Sequence, residues 1–129
     1  VKVYLCAAWQ RQAQLRGYRD RLVAAGVAVT SSWLDLTGPL PTTAEEARAA
    51  ALLDLGDLDR ADEVVAFTEL PAIGYLTGGR HVEVGYALAV GKPIWLVGPP
   101  ENVFHHHPLV SHADQFETVL DAYLRRTVA

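Results

Sequence analysis

The spacing of apolar positions changes several times along the chain, and each change marks an element. Val1–Ala8 is an almost unbroken apolar, β-prone run and predicts a first strand. A polar break follows at Trp9–Gln12. Over Ala13–Ala25 the apolar residues recur at helical spacing (Leu15, Tyr18, Leu22, Ala25), and Gly26 supplies the stop. Val27, Val29, Ser31 and Trp33 alternate, which predicts a second strand ending on Trp33. Leu34–Pro41, with Gly38, Pro39 and Pro41, reads as a loop. Thr43 and Glu46 form a capping box, with Thr42 and Glu45 as the competing register. A helix runs from there to about Ala61, with Gly56 as the point where it would break. Glu63–Thr68 predicts a third strand, Glu69–Gly78 a loop, and Gly79–Val90 a helix closed by Gly91. Pro93–Val97 predicts a fourth strand and Gly98–Ser111 a long loop. A short fifth strand is read at Gln115 and Phe116, and Glu117–Arg126 is a closing helix.

Strands and helices therefore alternate throughout. That order predicts right-handed β-α-β units and a parallel sheet covered on both faces. With about five strands, the expected architecture is an α/β, flavodoxin-like doubly wound sandwich in the order 2-1-3-4-5. Ligands of such folds bind beyond the carboxyl ends of the strands. That rim would carry Trp9–Gln12, Trp33–Leu36, Glu69–Gly79 and Gly98–His107.

Composition narrows the picture. The 129 residues suit one domain, 1–129, and half of them are hydrophobic, enough for a core. A net charge of −4 gives no electrostatic footprint for nucleic acid or an anionic membrane. Cys6 is the single cysteine, so no internal disulfide forms, and its place in an apolar strand marks it as a small core residue. "VKVYLCAAW" is too short for a signal peptide's apolar region plus cleavage site, and no apolar run spans a bilayer. A soluble, cytoplasmic protein is expected.

Two acids stand out of pattern. Projected at the helical period, Ala47, Ala50, Ala51, Leu58 and Ala61 form one apolar stripe, and Asp54 lies in its middle. Asp57 falls at the stripe's edge and Asp59 well away from it. Glu83 is the one acid in "TGGRHVEVGYALAVGKPIWLVG", with Tyr86, Ala87 and Val90 at +3, +4 and +7. It follows glycines that let a ligand approach free helix-start amides. The residues alone leave plainer readings open. An early Glu favours the helix dipole, and a mid-stripe Asp can cap a neighbouring backbone group or face solvent beyond a break. Paired carboxylates are also the usual equipment for cleaving a glycosidic bond with retention.

"VYLCAAW" (Val3–Trp9), "DLGDLDRADEVVAF" (Asp54–Phe67) and "GGRHVEVGYALAVGKPIWLV" (Gly78–Val97) together resemble the nucleoside 2-deoxyribosyltransferase family. The resemblance implies a flavodoxin-like fold, a homo-oligomer (dimer or hexamer) and no cofactor. It implies ping-pong transfer of 2-deoxyribose from a deoxynucleoside to a free nucleobase, with water as a substitute acceptor. By position, Glu83 matches the family nucleophile. Asp54, eight residues before Asp62, matches the proton-transfer acid. Tyr4 matches the Tyr that bonds the nucleophile, and Trp9 the aromatic that lies against the base. Trp33, Thr77, Gly79 and His81 are further candidates for contact with substrate.

The chain also departs from the family pattern. Many transferases carry Asp six residues before the nucleophile, where this chain has Thr77. Related deoxyribonucleoside 5′-monophosphate N-glycosidases have Ser there and bind phosphate, so Thr77, Gly78, Gly79, Arg80 and His81 form a candidate phosphate site. Those hydrolases carry Gly-Ser after the first strand, whereas Ala7-Ala8-Trp9 here favours the free-nucleoside transferase. Asp114 and His112 lie where the transferases lend a side chain to a neighbour. Hydrolysis of nucleosides or their monophosphates is the alternative activity, and a non-catalytic nucleotide-binding module is the second alternative. His105-His106-His107 does not predict a metal site, since adjacent side chains on an extended segment point to opposite sides.

Overall fold

The computed structural model describes residues 1–68 and 78–128. The strands are β1 Lys2–Cys6, β2 Ala28–Val29, β3 Glu63–Phe67, β4 Ile94–Val97 and β5 Val110–Ala113. The helices are α1 Gln12–Ala24, α2 Ala44–Arg60, α3 Gly79–Ala89 and α4 Phe116–Val128. All strand pairs are parallel, and the sheet runs β2-β1-β3-β4-β5. β1 and β3 are buried from their second residues onward, as expected for interior strands covered on both faces.

α1 packs with α4 and α2 with α3. Between α1, β3 and α4 the rings stack: Tyr18 lies 5.4 Å from Phe67 and 4.1 Å from Phe116. α3 buries Val84 and Ala87, and α2 buries Leu58. Among the described residues, no helix is long and apolar enough to cross a membrane.

The order of elements follows the hydrophobic pattern, with local corrections. The second strand is only Ala28–Val29, and Trp33 lies in a 3-10 turn, Ser32–Asp35, rather than at a strand end. The ladder stops after Thr30 N–H meets the Val3 carbonyl at 2.9 Å. Beyond it, side chains take the next backbone groups of β1. Ser31 Oγ accepts from Leu5 N–H at 2.7 Å, and the Trp33 indole donates to the Leu5 carbonyl at 2.9 Å. The fifth strand is Val110–Ala113, and Phe116 opens the last helix. Ser111 and His112 are exposed on this edge strand, so it shows no apolar run to read.

α2 runs unbroken through Gly56. Thr43 is its N-cap: Glu46 N–H donates to Thr43 Oγ1 at 3.1 Å, and the Glu46 carboxylate reaches back to Thr42 N–H at 3.2 Å. At the other end Lys92 supplies the C-terminal partner. Its Nζ donates to the carbonyls of Leu58, Asp59 and Ala61 at 2.8, 2.9 and 2.7 Å. The Leu58 carbonyl also takes the C-cap Ala61 N–H at 3.1 Å, so Lys92 adds a donor at the helix end and reaches the Ala61 carbonyl just beyond it.

Lys92→Met keeps the aliphatic stem and removes the ammonium. It is expected to lower the unfolding free energy by about 1.5–3 kcal/mol, the range for hydrogen bonds from a charged donor. Urea denaturation at neutral pH measures it. A loss below about 0.5 kcal/mol, an ordinary surface effect, would mean that water serves these carbonyls equally well.

Candidate active site

A cleft of about 540 Å³ opens at the carboxyl end of β1. Its floor is Tyr4 and the start of α3, and one wall is the Ala49, Ala50 and Leu53 face of α2. The other wall is Trp9, Trp33 and the 36–41 loop. The α2 stripe is thereby explained. Leu58 and Ala61 enter the core, Ala47 and Ala51 are exposed, and the middle of the stripe borders the cleft. Asp54 is half-buried there because the apolar surface around it lines a cavity rather than the core.

Glu83 lies in the second turn of α3. The helix starts from Gly78, whose φ of 82° is the left-handed conformation that favours glycine. Two residues of β1 meet the Glu83 carboxylate. Tyr4, fully buried, donates its hydroxyl to Oε2. Cys6, also fully buried, has Sγ 3.8 Å from Oε1 and 3.4 Å from the Arg80 carbonyl.

Burial pushes the Glu83 carboxyl up to about 7. The Tyr4 hydrogen bond pulls it down, the Asp54 charge raises it, and the Cys6 hydrogen bond pulls it down again. Burial, helped by the Asp57 charge, pushes Asp54 up to about 6. The Tyr4 hydroxyl is raised by burial and by Glu83, so it keeps its proton. Glu83 and Asp54 line one cleft, and the Asp54 charge is felt at Glu83.

The tryptophans lie 6.1 Å apart, centroid to centroid, tilted by 38°. Trp33 is buried and fixed by its indole bond to Leu5, while Trp9 is half-buried. Side chains from α1 pin the turn that carries Trp33. Gln12 donates to the carbonyls of Trp33 and Leu36 at 2.7 and 2.8 Å, and Arg16 to that of Leu34 at 2.8 Å.

Gly79 lines the cleft, but His81 does not. The His81 ring sits against the Arg80 guanidinium (3.2 Å), the Asn102 amide (3.4 Å) and the His105 ring (5.7 Å). Thr77 lies outside the described residues. Asp114 borders a separate depression with Arg11 and Tyr18. His112 is exposed on β5, with its ring 5.9 Å from that of His106. His105 is buried, and its Nδ1 accepts from Glu101 N–H at 2.8 Å. Among the described residues, no group of three or more His, Cys, Asp or Glu is arranged to hold a metal ion.

Three residues near the cleft carry more than the sequence pattern indicated. Asp57, placed at the stripe's edge, is fully buried, accepts from Ser32 N–H at 2.8 Å and pairs with Arg60. Arg80 is nearly buried and holds Glu101 through two nitrogens, at 2.5 and 3.2 Å. Cys6 touches the carboxylate rather than merely filling the core. An apolar-residue period carries no signal for any of these contacts.

Comparison with known proteins follows the same line. The sequence profile of the nucleoside 2-deoxyribosyltransferase family matches residues 3–121. No curated protein matches the chain by sequence. Among solved structures, a 2-deoxyribosyltransferase from Bacillus psychrosaccharolyticus superposes with a TM-score of 0.75 at 20% identity, over 96% of each chain. A CMP N-glycosidase from Clostridium botulinum gives 0.64 at 20% identity, covering 95% of this chain and 97% of its own. A conserved protein from Enterococcus faecalis V583 gives 0.66 at 15% identity, over 98% of each chain. At such identities these likenesses speak for the fold. The profile match spans nearly the whole described sheet, and on it the chain belongs to the nucleoside 2-deoxyribosyltransferase family, a family of nucleoside-processing, glycosyl-transferring enzymes.

Proposed function

We propose that the protein transfers 2-deoxyribose between nucleobases through a covalent ester on Glu83. The supporting observation is that Glu83 and Asp54 line one cleft, with Tyr4 holding Glu83 and two tryptophans along the wall. Two acids held at raised pKa in one cavity favour a reacting site over a non-catalytic binding module. The Glu83 carboxylate attacks C1′ of the deoxynucleoside. The C1′–N bond breaks, its electron pair stays on the base, and Asp54 gives that nitrogen its proton. The departing base leaves a deoxyribosyl ester. The nitrogen of an incoming base then attacks C1′, Asp54 recovers the proton, and Glu83 is released as carboxylate. Trp9 and Trp33 give the base a flat apolar surface. Water entering in place of the second base yields free deoxyribose, which is the N-glycosidase outcome of the same intermediate.

Incubation with a deoxynucleoside and a second base is expected to yield the new nucleoside, read by chromatography. Free sugar without exchange would move the assignment to hydrolysis. Glu83→Gln is expected to lower exchange by at least about a thousandfold, as loss of a nucleophile does. Asp54→Asn is expected to lower it by about 10²–10⁴-fold, the usual worth of a proton-transfer group. Exchange that survives in folded Glu83→Gln sinks the nucleophile assignment.

The raised carboxyls set the pH dependence. The reacting form of the pair carries one proton, on Asp54, and leaves Glu83 ionised. With Asp54 near 6 and Glu83 near 7, the pair holds one proton mainly between those values, and the reacting form, with that proton on Asp54, is the minor tautomer whose share peaks there. The pH profile of kcat/KM is expected to be a bell with its maximum between about pH 6 and 7. It falls on the acid side as the pair takes a second proton, and on the alkaline side as the pair loses its last. A rate that climbs steadily through pH 8 would contradict this arrangement.

Stability gives an independent reading. Glu83 ionises near the ordinary glutamate value of 4.5 in the unfolded chain and near 7 in the fold. A raised folded value means the fold loses stability as pH climbs between those points. Glu83→Gln removes that loss. The Tm of the variant minus that of the wild type is expected to grow from pH 4.5 to 7 and then level off. A difference independent of pH would mean that the carboxylate is not desolvated.

A further inference from the structure

One polar group at the cleft has no part in the reaction above. Tyr4 and Cys6 are two residues apart on β1, so their side chains leave the same face of the sheet. That face meets α3 at Glu83. The Tyr4 hydroxyl takes Oε2, while Cys6 Sγ stands 3.8 Å from Oε1. Cys6 has no exposed surface, so its reactivity toward solutes is not at issue. Burial and the Glu83 charge both push the thiol upward, which keeps its proton in place as a donor.

We propose that Cys6 is a positioning residue for Glu83: its thiol holds Oε1 while the Tyr4 hydroxyl holds Oε2, and together they fix the plane of the attacking carboxylate. The inference rests on Glu83 as the nucleophile. A glutamate's last torsion is broad, so one donor alone leaves the carboxylate free to turn about the bonded oxygen. A second donor on the other oxygen removes that freedom. A thiol is a weak donor. It orients the anion without binding its charge so strongly that attack on C1′ becomes costly, because an interaction stronger before the transition state than in it slows the step. Cys6 Sγ also lies 3.4 Å from the Arg80 carbonyl. The one thiol proton is therefore shared between that carbonyl and Oε1, and passes wholly to the carbonyl once the carboxylate has become an ester.

Several ionisable groups surround Glu83. β1 presents Tyr4 and Cys6, α2 presents Asp54, and the preceding turn of α3 holds Arg80, whose guanidinium is paired with Glu101. The acid of β3, Glu63, is engaged by Arg126 and Tyr123 of α4. Loss of the Cys6 donor thus leaves Tyr4 as the remaining group that draws the Glu83 carboxyl downward.

The test is a carbon-13 titration of the Glu83 side-chain carboxyl beside the pH profile of kcat and KM, in wild type, Cys6→Ala and Cys6→Ser. In Cys6→Ala the Glu83 midpoint is expected to rise by about half a pH unit, the size of one weak neutral hydrogen bond. The one-proton form with Glu83 ionised then becomes about threefold rarer relative to its partner tautomer. The value of kcat at the maximum is expected to fall by about that factor with KM little changed, and the alkaline limb moves upward. Cys6→Ser keeps a donor and is expected to return the midpoint toward wild type, which a role in packing alone would not produce. If Cys6→Ala fails to fold, Cys6→Val fills the space and carries the same expectation. A Glu83 midpoint unmoved by loss of the thiol overturns the proposal. The carboxyl titration reads the contact whether or not Glu83 is the nucleophile. Base exchange surviving in Glu83→Gln therefore overturns only the reading beneath it.

Discussion

The hydrogen bond from Tyr4 to Glu83 is the constraint on which the cleft is built. It ties an interior strand to the opening turns of α3 at a place where a carboxylate has little water. An ionised group there without partners would cost several kcal/mol. The bond therefore sets where α3 can begin as much as it sets where the carboxylate points. Gly78 brings the chain into the helix through a left-handed turn, and Val84 and Ala87 press the helix onto the sheet. With those positions fixed, the Glu83 oxygens lie over the end of β1. Tyr4 and Cys6 wait there on one face, and Asp54 looks in from α2.

The same burial that makes this position expensive makes it useful. Two acids near their ordinary values would both be ionised at neutral pH, and neither could give up a proton. Burial lifts both, and a neighbouring charge adds to each: Asp54 at Glu83, and Asp57 at Asp54. The pair then holds one proton over a window near neutrality, as an attack coupled to a proton transfer needs. The proton prefers Glu83, the more strongly desolvated of the two, so the arrangement proposed to react is the less populated one. The donors on Glu83 oppose that preference. Tyr4 opposes it strongly and Cys6 weakly, and the balance between them and the desolvation decides how much of the enzyme is poised to react.

Much of the fold was legible because burial has a period. Alternating strands and helices, the parallel sheet and its order, the Thr43 cap and the glycine stops all follow from the placement of apolar and turn-forming residues. Glu83 and Asp54 were legible for the opposite reason, as acids in places where the period asks for apolar side chains. What escaped has no period. β5 is an edge strand whose Ser111 and His112 face outward, so nothing apolar marks it. Trp33 left the second strand because Ser31 and its own indole took the Leu5 backbone groups that a longer strand would have used. The Asp57 and Arg80 side chains are buried against sequence-distant partners, Ser32 and Glu101, that only the folded chain brings near. Cys6 looked like core filler because a thiol's apolar and donor roles cannot be told apart until its neighbour is known.

The cleft is made of two kinds of support. The groups proposed to do chemistry sit on β1, α2 and α3, whose positions are set by backbone ladders and core packing. The wall proposed to meet the base hangs instead on side-chain-to-backbone bonds: Gln12 and Arg16 from α1 and the Trp33 indole. Each of those bonds contributes about 0.5–3 kcal/mol, the charged Arg16 donor the most, far less than the sheet. The wall can therefore change its shape by substitution without moving the carboxylates. An architecture divided in this way lets the range of acceptable bases drift while the bond-breaking geometry stays fixed, because the two depend on different interactions.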